Sequence, residues 1–303
     1  MKNPSPGGIV LVDKPEQMSS AAVVARIKKL AKAKKAGHTG TLDPEATGLL
    51  LCPVNKATRL SRFFLHGWKS YEALLVLGVE TDTQDAAGRV TERRTVPDLD
   101  ASRLEAVIQQ FQGEINQIPP AYSALKHKGR PLYEYARSGR PVHKPARQVT
   151  IERIALQKLE LPEVALSLRC SSGTYIRSLC AEIGRSLGCG AYLKKLRRTE
   201  NGGFNVSESW TLAKLGELAD AGRFGEAMIP PAPALRGMPV HTADNALTEK
   251  IKYGKMIYLH DVDGMAETGY IKILDAEENL LAVLCREEAD NERLKYCCVF
   301  HHG

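Results

Sequence analysis

The 303-residue sequence is short of aromatics, 6% by count, and has no apolar run long enough to cross a bilayer. Behind its first lysine lies only a short apolar stretch, Ile9 to Val12, which excludes a secretory signal peptide. The seven cysteines are odd in number and contain no C-x-x-C pair. That excludes a disulfide-stapled framework and points to reduced, buried thiols of a cytoplasmic protein. Cys297 and Cys298 lie near His301 and His302. Adjacent strand residues point to opposite faces and no second pair completes a tetrahedral set, so no metal site is expected. Neither G-x-x-x-x-G-K-S/T nor G-x-G-x-x-G occurs, which leaves a nucleoside triphosphate site without support.

Acidic residues are also short, 35 against 42 Lys and Arg, and the imbalance is uneven. From Val240 onward there are 12 acids and 7 bases, a net of −5, whereas residues 1–239 carry +12. A strongly basic large part points first to a polyanionic partner, with nucleic acid the commonest. The charge changes sign at residues 228–239, where Pro230, Pro231, Pro233 and Pro239 suggest a linker. The expected organisation is therefore a large unit over 1–227, the linker, and a small β-rich unit over 240–303.

Hydrophobic periodicity fills in the elements. Ser19 or Ser20 caps a helix with Val23, Ile27, Leu30 and Ala31 on one face, ending near Gly37, and its other face is basic. Leu49 to Cys52 reads as a buried strand, and Tyr71, Ala73, Leu75, Leu77 and Val79 alternate as another. Asp100 or Ser102 opens a helix that Gly113 stops. Residues 164–170 form a strand, and a helix for which Thr174 is a candidate cap carries Ile176, Leu179, Cys180, Ile183 and Leu187 inward. Irregular alternation with hairpins indicates an α+β fold rather than a doubly wound parallel sheet.

Chemistry concentrates in two loops. Residues 37–50 set three glycines, three threonines, His38 and Asp43 between a basic helix and a buried strand. Pro44 disfavours helical geometry at Asp43 and helps fix the carboxylate's direction, although Asp-Pro turns are common without any function. In the second loop Arg177 falls in a helix's first turn, where the dipole disfavours a cation. An anion must compensate it, either Glu182 or another surface acid, or Asp43 or a phosphate. The run Lys194-Lys195-Leu196-Arg197-Arg198 joins the first helix and Lys126, Lys128, Arg130, Arg137, Arg140 and Lys144 in a basic surface interleaved with Tyr122, Tyr133 and Tyr135. Such a surface suits RNA with splayed bases. The residues by themselves reach a nucleic-acid-binding α+β protein with a candidate carboxylate loop.

At these residues the sequence resembles the TruB-type tRNA pseudouridine synthases. Gly8-Ile9 through Lys14-Pro15 looks like their N-terminal signature, with Gln17 and Ser19 where the family usually has glycine and threonine. Residues 37–50 resemble the family's long catalytic motif nearly residue for residue. Lys69-Ser70-Tyr71-Glu72, Gln117-Ile118-Pro119-Pro120-Ala121-Tyr122-Ser123-Ala124-Leu125-Lys126, Gly173-Thr174-Tyr175-Ile176-Arg177-Ser178-Leu179 and Leu196-Arg197-Arg198-Thr199 resemble its later motifs. The resemblance implies a mixed, largely antiparallel sheet flanked by helices, with a PUA-like C-terminal module. It implies isomerisation of uridine 55 in the TΨC loop of tRNA, with no metal or organic cofactor, no guide RNA and a monomeric protein.

By the same resemblance Asp43 is the catalytic carboxylate, Tyr71 lies against the flipped base and assists proton removal at C5, and Arg177 pairs with Asp43. His38 supports the RNA during flipping, and Tyr175 and Leu196 line the base pocket. Two other classes stay open at this point, a non-catalytic RNA-binding protein and a hydrolytic glycosylase that would release free uracil.

Overall fold

The structure is a computed structural model that describes residues 7–264, 269–287 and 290–300. His301 and His302 lie outside the described residues. One large sheet organises the chain. Its main strands are β1 (Ile9–Lys14), β2 (Thr47–Pro53), β3 (Lys69–Leu77), β4 (Gly113–Gln117), β5 (Arg147–Glu160), β6 (Glu163–Cys170) and β7 (Ala191–Asn201). Their spatial order is β1-β2-β7-β3-β6-β5-β4, with Trp210–Thr211 and Met228–Ile229 added on β1. All neighbours run antiparallel except β2 with β7 and β1 with Trp210–Thr211. The mixed, largely antiparallel sheet agrees with the sequence reading.

The helices cover this sheet where its strands are apolar. The apolar run in β2 is buried on both faces because each face has its own cover. Leu50 and Cys52 pack with Val10, Val12, Val23 and Ile27, under α1 (Ser20–Leu30). Leu49 and Leu51 pack with Ile9 and Leu11 on the opposite side. Further along, Tyr71, Ala73, Leu75 and Leu77 of β3 face α2 (Ala101–Gln109) and α3 (Ile176–Ser186) through Leu104, Ile108, Leu179 and Ile183. The same period-2 pattern leaves the other face of β3 carrying Glu72, Leu74 and Val76.

Two expected helix ends differ from the sequence reading. Ser19 does cap α1, accepting from the Ala22 N–H, but the helix ends at Leu30 rather than near Gly37. Lys32 turns left-handed at φ 49°, which stops the helical hydrogen bonds about two turns early. Thr174 does not cap α3. Its hydroxyl donates to the Ser171 carbonyl, and Tyr175 occupies the N-cap position without a side-chain bond.

The proline-rich segment 228–239 is built into the molecule instead of tethering two units loosely. Met228–Ile229 pairs with β1, and Pro231–Ala234 forms a short helix that the prolines at its start permit. Beyond it, β8 (Val240–Thr242), β9 (Ile257–Tyr258), β10 (Tyr270–Leu274), β11 (Leu280–Glu287) and β12 (Asp290–Val299) make a second sheet ordered β8-β10-β11-β12-β9. The helix Asn245–Lys252 packs on it through Leu247 and Ile251. This β-rich unit shares a core with the large one, since Leu280, Val283, Cys298 and Phe300 cluster with Ile9, Leu51, Phe64 and Ala232.

Candidate active site

The loop that carries Asp43 is fixed on both sides of it. The Ser20 hydroxyl donates to the Leu42 carbonyl at 2.8 Å and accepts from the Leu42 N–H at 2.9 Å, so the start of α1 grips the residue before Asp43. Lys14, fully buried, donates from Nζ to the carbonyls of Pro15, Met18 and Pro44, the last at 3.0 Å and directly after Asp43. Burial pushes the Lys14 pKa down to about 8. The carbonyl of Asp43 itself accepts from the Ala46 N–H in a tight turn.

Across the cavity α3 delivers Arg177. Its Nε lies 3.0 Å from Asp43 Oδ2 and its Nη1 3.4 Å from Asp85 Oδ2. Nη1 also donates to the Thr83 carbonyl and Nη2 to the Tyr122 carbonyl. The anion that compensates Arg177 is thus a pair of carboxylates, not Glu182. The guanidinium is 5% exposed while the Asp43 side chain is 43% exposed, so a buried cation holds a carboxylate that opens to solvent. A carboxylate so placed has a fixed direction.

A cavity of about 560 Å³ opens beside this pair. Asp43, Tyr71, Tyr175, Arg177 and Leu196 line it, so five of the six residues singled out from the sequence meet in one place. His38 is not among the lining residues; it sits half-buried at the start of the loop, with Nδ1 lacking a hydrogen bond among the described residues. Burial, reinforced by the neighbouring Arg198, lowers its pKa and keeps the imidazole neutral. Tyr71 is buried at the base of the cavity, and burial raises its pKa.

Sequence reasoning missed several groups that shape the cavity. Arg198 reads as one member of a basic run, yet it is wholly buried, donating to the carbonyls of Leu49 and Gly40 and standing opposite Tyr71 on the neighbouring strand. Lys69 lines the cavity, donates to the carbonyls of Leu65 and Gly67, and has its pKa pushed down to about 8 by burial. Gly40 sits at φ +101° with Lys69 and Arg198 close above it, so the loop needs glycine there. The buried Gln117 bonds both the N–H and the carbonyl of Tyr175, at 2.7 and 3.0 Å. Its rung partner Arg147 bonds the Gly173 carbonyl and stands 4.8 Å over the Tyr175 ring. The only sequence signal for Gly40, Lys69, Gln117 and Arg198 was their place inside motifs, and Arg147 had none.

The basic surface is narrower than the sequence suggests. Within the run from Lys194 to Arg198, Lys194 pairs with Glu163, Arg197 with Asp13, and Arg198 is internal. A strand alternates its side chains, which sends neighbouring cations to different fates. The exposed cations of α1, Arg26, Lys28 and Lys29, keep their outward face. In the segment after Gln117, Arg130 stands over Tyr135 and Arg137 over Tyr133, so these rings are partly covered by guanidinium groups.

Known proteins match this chain along most of its length. Residues 28–176 match the N-terminal domain model of the TruB family pseudouridylate synthases, and residues 177–235 match the tRNA pseudouridylate synthase B C-terminal domain model. The tRNA pseudouridine synthase B of Burkholderia mallei (strain NCTC 10247) is 43% identical over 280 residues, covering 91% of this chain and 92% of that protein. The protein of the same name from Geobacter sulfurreducens is 40% identical over 265 residues, 86% of each chain. Among solved structures, a Cbf5-Nop10-Gar1 complex superposes with a TM-score of 0.76 at 27% identity, covering 97% of this chain and 85% of that one. An H/ACA RNP bound to a substrate RNA containing 2′-deoxyuridine gives 0.74 at 25% identity, covering 98% and 86%.

A mixed sheet of this order, with its arginine-held aspartate in a cavity and these relatives, defines a pseudouridine synthase, an isomerase. Within that class the chain belongs to the TruB family.

Proposed function

We propose that this protein isomerises uridine 55 in the TΨC loop of tRNA to pseudouridine, with the target nucleotide flipped into the cavity beside Asp43. The observation that carries the reading is the 3.0 Å Asp43–Arg177 pair at the cavity wall. Relatives named tRNA pseudouridine synthase B support tRNA as the substrate.

In this reading Asp43, aimed by Arg177, drives cleavage of the N-glycosidic bond. The uracil then turns within the cavity and rejoins C1′ through C5. The C5 proton leaves and N1 takes one up, so the product is an isomer and nothing is oxidised or reduced. Burial keeps Tyr71 a neutral phenol, so it acts on the C5 proton as a hydrogen-bonding neighbour rather than as a phenolate. Tyr175 and Leu196 wall the base, and the neutral His38 supports the RNA while the nucleotide is out of its stack. Flipping costs a few kcal/mol of unstacking, which the cavity and the basic face of α1 offset. The protein works as a cytoplasmic monomer without a guide RNA, on a two-unit plan of residues 1–227 and 240–303.

Tritium release from an unmodified tRNA transcript labelled at uridine C5 tests this. The wild type releases label, and Asp43→Asn slows release by about 1,000-fold or more. A transcript with cytidine at position 55 loses the release from that site. No release by the wild type, equal release by the Asn variant, or free uracil as the product would each overturn the reading.

A further inference from the structure

We propose that Ser123 is a substrate-binding residue whose hydroxyl bonds the flipped uridine at its sugar–base junction, an inference that rests on the isomerase reading above. Ser123 is 3% exposed and lines the cavity that holds Asp43, Tyr71 and Arg177. Its Oγ has no hydrogen-bond partner among the described residues. Buried hydroxyls are almost always paired, and an unpaired one costs stability that alanine at the same place would not. A serine kept unpaired inside the protein therefore has its partner elsewhere, and the space that Ser123 borders is the cavity.

The surroundings of Ser123 are otherwise complete. The peptide joining Tyr122 to Ser123 is gripped by Arg177, whose Nη2 donates to the Tyr122 carbonyl at 2.9 Å. The Ser123 carbonyl accepts from the Tyr133 N–H at 3.1 Å. The same guanidinium reaches Asp43 through Nε at 3.0 Å, so one planar group fixes both the reacting carboxylate and the main chain leading into Ser123. That ties the serine and the reacting carboxylate to one group in the wall of one cavity, where a uridine offers the ribose hydroxyl and the uracil O2. Arg147 also lines the cavity with an Nε that has no partner among the described residues, but its guanidinium is already engaged by Gly173 and the Tyr175 ring. The hydroxyl of Ser123 has no second polar atom to engage.

The test is Ser123→Ala, assayed for single-turnover tritium release, tRNA affinity by filter binding, and thermal melting. The expected result is a release rate about 10–100-fold lower, because a site built to bond a substrate group loses that discrimination when the bond is removed. Affinity for the whole tRNA stays within about twofold, and the melting temperature equals or exceeds that of the wild type. A variant as fast as an active wild type overturns the assignment of Ser123 alone. So does a variant whose loss of rate is matched by its loss of stability or of tRNA affinity. A wild type that releases no label overturns both this assignment and the isomerase reading.

Discussion

Gln17 shows how one residue records a departure from the family without disturbing the site. It stands where the TruB family usually has glycine, and its φ is 61°, the left-handed region that glycine occupies without strain. The turn is kept because its neighbours over-determine it. Lys14 bonds the Met18 carbonyl, and Ser19 caps α1 in the place of the family's threonine. Left-handed geometry costs an ordinary residue roughly 1–2 kcal/mol, partly recovered through its stiffer unfolded chain. Gln17→Gly is therefore expected to stabilise the protein by about 0.5–1 kcal/mol, seen as a higher urea midpoint with an unchanged slope. Unchanged or lower stability would mean that the glutamine side chain makes contacts that outweigh the strain. At this scale Asp43 and Arg177 were legible because each sat in a place that demanded a partner: an Asp before proline in a glycine-rich loop, and a cation at a helix start. Asp85 was not, since nothing in its local sequence brings it to Arg177.

Among the elements, α1 joins the two tasks of holding RNA and holding Asp43. Its inward residues Val23 and Ile27 seat it on β1 and β2, Ser20 pins Leu42, and its outward face carries Arg26, Lys28 and Lys29. Each lysine that neutralises a phosphate contributes slightly less than one unit to the log–log salt dependence of binding. Replacing Lys28 and Lys29 with alanine is expected to weaken tRNA binding at 100 mM salt and to flatten that slope by about 1–2 units. Because neither residue touches the cavity, the single-turnover rate at saturating enzyme stays near that of the wild type. A slope that does not change would place the RNA on another face. Strand β7 teaches the opposite lesson. Its five-residue basic run reads as a patch in sequence, but the register that sets Arg198 opposite Tyr71 and Arg197 opposite Glu72 divides it between the interior and the other face of the sheet.

Across the whole molecule, the acidic C-terminal unit is part of the scaffold. Lys272 reaches from β10 to the carbonyls of Ala232 and Leu235 at the end of the short proline-started helix. Arg59 bonds the Val299 carbonyl, and Phe63 meets Tyr270 edge to face with centroids 5.3 Å apart. Phe300, 1% exposed, completes the shared core. Phe300→Ala is expected to destabilise by about 3–5 kcal/mol and to lower the melting of the whole chain in one transition, because the cavity it leaves touches both units. Calorimetry showing an early transition confined to one unit would indicate that the two units fold independently. A rigid seat of this kind also means that the net +12 of residues 1–239 and the −5 beyond them are held at a set distance from each other.

What the sequence determined by itself was local or periodic. The alternation in β3, the cap of α1, the buried run of β2 and the sign change in charge all depend on residues near one another in the chain. The α+β class and the candidate carboxylate loop could therefore be read directly. Only the tertiary structure decided which distant groups meet, because those contacts depend on strand order and register rather than on spacing. It brought Asp43 and Asp85 to Arg177 and buried Arg198 beside Tyr71. It turned Gln117 and Arg147 into the supports of Tyr175, and it folded the proline-rich segment into a core shared by both units.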